Sequence, residues 1–495
     1  MKIDAIASLE ERQPADLLVL PFWEKEIKEA GDFGVFKHKF HPSLKTGDFK
    51  AKLGETLLHY VEGELEPRVL FLGLGPEAQA TPEVIRRSFA AAVRVARTKK
   101  AKHVNFVFPH TKFPREEAVR AFFEGIFLTN YAFLRLKGDS IKKDPVVLIE
   151  HAGLIGLEKG DHKWLQKLRV IGDGIFFARD LVNGNADDIT PEALARAAEG
   201  LVKNTPALRL KVLDRKAIEK EGMGLLLAVS RGSSVEPRFI ELSYHGDPGS
   251  KEHIVLVGKG VTYDTGGLSL KPTEGMLTMK ADMAGAATVL SVVHTAAALH
   301  LKVNVTAIAP AAENCIDGKS YKLGDVYHSH SGKTVEINNT DAEGRLLLAD
   351  ALSYAVKHLH PTCMIDVATL TGGIIIALGD DVAGMFTADD QLAHDLIAAS
   401  KKTDEPIWRM PLHMDYKEAA LKSEVADLIN SSTRDAGPMK AAFFLQEFTD
   451  HVSWAHIDFA GPAYVPKPKH YHTTCATGYG VRLLLAFLEA RANVK

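Results

Sequence analysis

Residues 68–96 read "RVLFLGLGPEAQATPEVIRRSFAAAVRVA". The stretch opens with an apolar run, 68–75, closed by glycine, which is the pattern of a buried strand. Thr81 then stands in the N-cap position with Pro82 directly behind it, and helical periodicity follows. "HVNFVF" (103–108) and "PVVLIE" (145–150) carry further strand signals. Alternation of strand and helix predicts a mainly parallel sheet flanked by helices. The "GLG" at 73–75 is too short for a dinucleotide fingerprint, which needs three spaced glycines ahead of a helix.

The same alternation returns further on. The chain turns polar and lysine-rich at "LEKGDHKWLQKL" (157–168), which reads as a boundary with a connecting helix. "TPEALARAAEGLV" (190–202) starts a helix with a second Thr-Pro-Glu. Strands resume at "HIVLVGKG" (253–260), "VNVTAIAP" (303–310) and "CMIDVAT" (363–369). The expectation is α/β throughout, in two domains. A smaller N-terminal α/β domain spans 1–160 with the connecting helix at its end. A larger α/β domain with a central, mostly parallel sheet spans 161–495.

The bulk composition narrows the function. At 495 residues the chain exceeds the ~100–200 of one domain. Hydrophobic residues are 46% and charged residues 25%, values of an ordinary globular protein, and the net charge of −3 makes nucleic acid an unlikely main partner. Cys315, Cys363 and Cys475 are far apart, which excludes a disulfide framework or a cysteine zinc site and suits a reducing cytoplasm. The N-terminus lacks a clean apolar signal region, and no run approaches ~18 uninterrupted apolar residues, so a membrane span is not expected.

Two segments gather the chemistry. "VLVGKGVTYDTGGLSLKPTEGMLTMKADMAGAA" (255–287) follows a strand and is crowded with glycine. It is no P-loop, because no Ser or Thr follows Lys259 and the spacing fails. Glycines just past a strand end mark the place where open α/β sheets bind ligands. "NNTDAEGRLLLAD" (338–350) places Asp341, Glu343 and Arg345 at i, i+2 and i+4 ahead of an apolar helix. Thr340 to Glu343 fits a capping box. Gly344 argues for more, since it costs ~1 kcal/mol against Ala in a helix and lets the backbone approach something closely. Residues i and i+2 share a side only in an extended segment or turn, so Asp341 and Glu343 suit a pre-helical segment. If Asp264, Asp282, Asp341 and Glu343 converge, their repulsion requires cations, and two bridged divalent metals would supply them. The alternative is ordinary ion pairing with Lys271 and Arg345. His328 and His330, in "YHSHSG", have no carboxylate nearby in the sequence and read as surface or strand residues. An oxygen-rich site admits Mg or Mn as readily as Zn.

These segments resemble the leucyl (cytosol) aminopeptidase family of dinuclear metallo-exopeptidases. The likeness rests on "VGKGVTYDTGGLSLKP", "MKADMAGAA" and "NTDAEGRL", and extends through "DVATLTG" (366–372), "ADLIN" (426–430), "WAHIDFAG" (454–461) and "ATGYG" (476–480). It covers most of the chain after about residue 175. The N-terminal third is similar in pattern only, which would make it the macro-like domain of the family. "RDLVNGNADDITPE" (179–192) departs from the family, which usually carries Glu-Pro or a similar pair after Asn183.

The resemblance implies roles. Asp264 and Glu343 would bridge two metals (Mn or Zn, or Mg), Lys259 and Asp282 would complete one site, and Asp341 the other. Lys271 would hold the scissile carbonyl oxygen, and Arg345 a bicarbonate acting as general base. Met279, Asn339, Thr369, Gly372 and Ala476 would form the substrate pocket, with Met279, Thr369 and Ala476 shaping an apolar slot for a Leu- or Met-like side chain. Backbone at Leu370 and Gly372 would hold the rest of the peptide. The implied protein is a cytoplasmic, hexameric leucyl-type aminopeptidase acting on peptide N-termini. The rivals are another dinuclear hydrolase, such as a phosphoesterase, and a DNA-binding side role.

Overall fold

The computed structural model describes residues 1–29, 46–473 and 475–492. The chain forms two compact units, Met1–Gly172 with Pro466–Cys475, and Asp173–Val465 with Ala476–Lys495.

The first unit is built on six strands: β1 (Lys2–Ile6), β2 (Leu17–Trp23), β3 (Thr56–Tyr60), β4 (Arg68–Gly75), β5 (His103–Val107) and β6 (His151–Ile155). They lie in the order β1-β6-β5-β2-β4-β3. Every pairing is parallel except β3 with β4 at the edge. Helix α1 (Pro82–Thr98) starts as its sequence dictates, with the Thr81 hydroxyl accepting the Val84 N–H at 3.2 Å. Helix α2 (Arg115–Thr129) packs beside it, and Arg86 on α1 is fully buried with its Nε 2.8 Å from Glu124. The strand expected at 145–150 is not one. Asn130 takes both backbone groups of Ile149, accepting its N–H at 2.9 Å and donating to its carbonyl at 2.8 Å. Those groups are therefore lost to a ladder, and pairing begins at His151. The polar stretch after it forms helix α3 (His162–Asn183), and the two units part inside that helix.

The second unit carries a nine-stranded sheet. Its strands are β7 (Leu208–Leu213), β8 (Arg238–His245), β9 (Ile254–Gly258), β10 (Gly260–Asp264), β11 (Asn304–Asn314), β14 (Cys363–Ala368), β15 (Ala383–Phe386), β16 (Ile407–Arg409) and β18 (Ser453–Asp458). The order is β16-β15-β18-β14-β9-β11-β8-β7, with β10 beside β11. The centre, β18-β14-β9-β11, is parallel, while β8, β7 and the β15–β18 pair are antiparallel. The central strands are buried along their length, as expected for parallel strands covered on both faces. A small sheet of β12 (Val326–His328), β13 (Thr334–Glu336) and β17 (Leu428–Ile429) stands apart.

Helices α4 (Arg215–Glu221), α5 (Ala284–Ala298) and α6 (Gly344–Leu359) matter most for the site. On α6, Leu346, Leu347 and Leu348 are all fully buried in one cluster with Val255, Val257 and Met364. Each such side chain contributes roughly 1.5–3 kcal/mol on burial, so α6 is fixed against the sheet at the turn that follows Glu343. The segment Thr273–Ala298 is apolar and long enough to cross a membrane, but 72% of its most apolar window is buried inside the protein. It is therefore a core segment, and α5 packs there along β11 and β9.

Candidate metal centre

The parallel strands deliver their C-terminal ends to one place. Lys259 follows β9, Asp264 ends β10, Asn314 ends β11, Thr369 follows β14 and Asp458 ends β18. A register shift between Val261 and Asp264 re-aims the end of β10, as a bulge does. The Asp264 carboxylate then accepts from the Asn314 amide and the Gly266 N–H, both at 2.8 Å. Gly266 and Gly267 have φ of +84° and +61°, a conformation glycine adopts at little cost. A Cβ at Gly266 would also lie 2.8 Å from Asp341 Oδ1.

The pre-helical reading of 340–343 holds, and the capping box does not. Helix α6 starts at Gly344 with no side-chain cap. The Thr340 hydroxyl instead donates to the Gly266 carbonyl and accepts the Ser269 N–H, each at 2.7 Å. It ties the 266–269 loop to the acidic segment, so it is unavailable to the helix. Gly344 has the reason the sequence suggested. A Cβ there would lie 2.6 Å from Lys259 Cε and 2.7 Å from its Nζ.

The expected ligand set converges. Lys259 Nζ is 2.8 Å from Asp282 and 2.9 Å from Glu343. Lys271 Nζ is 2.8 Å from Asp264 and also pairs with Asp341. Oxygens of Asp264, Asp341 and Glu343 all lie within 4.8 Å of one another. Lys259, Asp264, Asp282 and Glu343 are each under 5% exposed. Burial followed by the neighbouring Glu343 pushes Asp264 up to about 6 and raises Asp341. Burial raises Asp282 well above the carboxylate range. For Glu343, burial is outweighed by the Lys259 ammonium, and its value falls. Burial also opposes the charge on Lys259 and Lys271, but the surrounding carboxylates win and raise both. Four carboxylates face two ammonium groups, which leaves excess negative charge in a buried place. Glu343 Oε2 finds no hydrogen-bond partner among the described residues. A hard, oxygen-seeking divalent cation fits this donor set.

Arg345 is placed differently. It is partly buried, with its Nε shut off from solvent; desolvation pulls its guanidinium down to about 10, and one nitrogen donates to the Asn430 carbonyl at 2.7 Å. Its Nε finds no acceptor among the described residues. Ordinary ion pairing therefore describes Lys271 but falls short of describing Arg345.

Of the expected substrate residues, Thr369 and Asn339 touch the cluster directly. The Thr369 hydroxyl donates to Asp282 at 2.8 Å. Met279 is half-buried at the start of the short turn leading to Asp282. The Asn339 side chain accepts the Asp341 N–H at 2.8 Å. The Leu370 N–H is engaged by Asp458 at 3.1 Å. A Cβ on Gly372 would meet nothing within 4 Å, so that backbone borders open space. Ala476 is buried, and its N–H donates to Asn183 Oδ1 at 3.1 Å. A cavity of 590 Å³ bounded by Lys333, Asp389, Lys417, Glu447 and Trp454 includes none of these residues.

Several supporting residues had no sequence signal of their own. Asn314 donates to Asp264 and to the Thr340 carbonyl, which the Tyr321 hydroxyl also reaches at 2.7 Å. Asn430 accepts the N–H groups of Asn338 and Asn339 and donates to the Asn339 carbonyl. Asp458 holds Leu370 and the Thr371 hydroxyl. Asn430 and Asp458 lie inside "ADLIN" and "WAHIDFAG", so the motifs pointed at them without stating a role. His330 also differs from expectation. It is buried, and Glu221 lies 3.9 Å from its Nε2, a carboxylate supplied from a distant part of the sequence.

A buried carboxylate–lysine cluster at the ends of parallel strands, short of positive charge, has the donor set of a divalent-metal enzyme. Comparison with known proteins makes the class specific. Residues 176–485 match the catalytic domain of the cytosol aminopeptidase family, and 19–140 match its N-terminal domain. A probable cytosol aminopeptidase of Protochlamydia amoebophila is 47% identical over 98% of both chains. A solved tomato leucine aminopeptidase variant aligns with TM-score 0.87 and 30% identity, covering 99% of this chain and 96% of its own. The bottromycin maturation enzyme BotP in complex with Mn aligns with TM-score 0.86 and 34% identity, over 97% of this chain and all of its own. The chain belongs to the cytosol aminopeptidase family and is a metal-dependent aminopeptidase.

Proposed function

We propose that this chain is a leucyl-type aminopeptidase with two divalent ions per subunit, manganese or zinc, or magnesium. The observation that carries the reading is the convergence of Asp264, Asp341 and Glu343 within 4.8 Å, flanked by Lys259, Lys271 and Asp282. Asp264 and Glu343 would be shared between the two ions, Lys259 and Asp282 would help hold one, and Asp341 the other. Lysine ligates only when neutral, and adjacent dications reverse the local field that now holds its proton. When bound, the ions supply Lewis acidity and make water nucleophilic near neutral pH. The protein's own groups do the rest. Lys271 directs an ammonium at the carbonyl oxygen, where negative charge develops. Arg345 presents a buried N–H with no acceptor among the described residues, which suits a planar oxyanion; Arg345 would hold bicarbonate there, and that anion would supply a general base.

Met279, Thr369 and Ala476 line the slot for the first side chain. Because the Thr369 hydroxyl is committed to Asp282, its methyl is left for that slot. Asn339 orders the Asp341 segment beside it. The Leu370 carbonyl and the open Gly372 backbone suit the peptide beyond the cleaved bond. We place the enzyme in the cytoplasm as a homohexamer, following the family resemblance and the relatives' designation as cytosol enzymes.

Leucyl and methionyl amides should be cleaved far faster than aspartyl or glutamyl amides. N-acetylation should block cleavage, and a chelator should abolish it with the circular dichroism unchanged. Equal rates on acetylated and free substrates, or full activity in excess chelator, would overturn the reading.

A further inference from the structure

Glu221, His330 and His358 each offer a ligand atom, all within 4.8 Å of one another. They come from three separate elements: the end of α4, the loop after β12 and the last turn of α6. His358 Nε2 lies 3.2 Å from Glu221 Oε2, and His330 Nε2 lies 3.9 Å from the same oxygen. The His330 ring is buried, with its side chain fully inaccessible. Its Nδ1 is 2.7 Å from the Ser353 hydroxyl, while its Nε2 finds no hydrogen-bond partner among the described residues.

The tautomer decides what this means. With Nδ1–H donating to Ser353, Nε2 presents a bare lone pair toward a carboxylate. Two electron-rich groups facing each other in a buried place are repulsive unless a cation lies between them. The hydrogen bond from the far ring nitrogen to a hydroxyl is also the usual outer support of a metal-bound imidazole. Ligands on a tetrahedral zinc at ~2.0–2.1 Å stand about 3.3 Å apart. The 3.2 Å pair already has that spacing, and the 3.9 Å pair needs to close by about 0.6 Å. Glu221 and His358 are each about a third exposed, which leaves an approach from solvent. Lys357 opposes a cation, but it is exposed and screened.

We propose that Glu221, His330 and His358 form a separate site for a zinc-class ion, distinct from the carboxylate–lysine centre. Two imidazoles and one carboxylate select zinc, nickel or copper over magnesium or calcium. The site lies on the far end of α6 from Glu343 and Arg345, about 21 Å from Gly344 at a rise of ~1.5 Å per residue. An ion there clamps α4, the β12 loop and the end of α6 together. It takes no part in peptide cleavage.

The test is zinc content and zinc X-ray absorption of the metal-loaded full chain, compared with His358→Ala and Glu221→Gln. Both positions are partly exposed, so both variants should fold. The wild type should hold about one more zinc per chain than either variant, with peptidase activity unchanged. Absorption by the extra zinc should carry the outer-shell scattering of imidazole, which a centre of lysine and carboxylates cannot give. Ser353→Ala should keep the site but weaken zinc binding roughly 10–100-fold. Equal zinc content in wild type and variants, or zinc without an imidazole signature, would show that His330 and Glu221 share a proton or water instead. Neither result depends on the role assigned to the central cluster.

Discussion

A methyl group at position 344 would lie 2.6 Å from Lys259 Cε. Gly344→Ala should gain up to ~1 kcal/mol of helix propensity and still harm the protein, because it displaces the side chain that pairs Asp282 with Glu343. The expected outcome is lower metal content and lower kcat together, and a variant that is more stable and fully active would contradict it. Glu343 and Arg345 separate ligand from catalyst. Glu343→Ala should lose metal and activity at once. Arg345→Ala should keep its metal and lose about 10²–10⁴-fold in kcat, the usual worth of general-base assistance, with partial recovery in added bicarbonate. If Arg345→Ala also strips metal, Arg345 is holding the carboxylates together and has been misassigned.

Asn430 joins β17 to the acidic segment through the N–H groups of Asn338 and Asn339 and the carbonyl of Asn339. Asn430→Ala should cost roughly 1–3 kcal/mol for the backbone groups left unpaired and weaken metal binding, as read by denaturant unfolding and metal titration; an unchanged midpoint would mean water replaces the side chain freely. On β18, His456 Nδ1 sits 2.6 Å from the Asp366 carboxylate, which also accepts from Trp454 at 2.7 Å. Burial works against the imidazolium, and Asp366, with help from Asp458, outweighs it and raises His456 above its ordinary 6.5. Native protein therefore holds this proton more tightly than unfolded chain. That stabilisation is full below pH 6.5 and is lost as pH rises through the folded value. Unfolding measured from pH 6 upward should show the decline in wild type and a flatter profile in His456→Gln; parallel profiles would refute it. The difference between legible and illegible features follows from range. Thr81-Pro82, the glycines at 266–267 and the i, i+2 carboxylates act on their own neighbourhood, so the sequence displays them. Asn130 on Ile149, Thr340 on the 266–269 loop and Glu221 beside His330 act across the fold. For these three, local pattern suggested a strand, a helix cap and an unpartnered histidine.

At the scale of the molecule, the two units have different sheets and the chemistry gathers in one of them. The named residues of the carboxylate cluster all belong to the second unit, and the first unit's part is proposed to lie in assembly. Sedimentation of the intact protein should give the mass of a hexamer, and a concentration-independent monomer would refute that assignment. The central claim is that the ends of β9 and β10, the turn before α5 and the segment before α6 together build a two-ion centre. Manganese bound at saturation should be measured on wild type and on the double variant Asp264→Ala/Glu343→Ala, which lacks both bridging carboxylates. The histidine site is common to both proteins, so their difference reports the central cluster alone. The account predicts a difference of about two ions per chain, with peptidase activity lost in parallel. A difference of one ion or none, in a variant whose circular dichroism matches wild type, would contradict it.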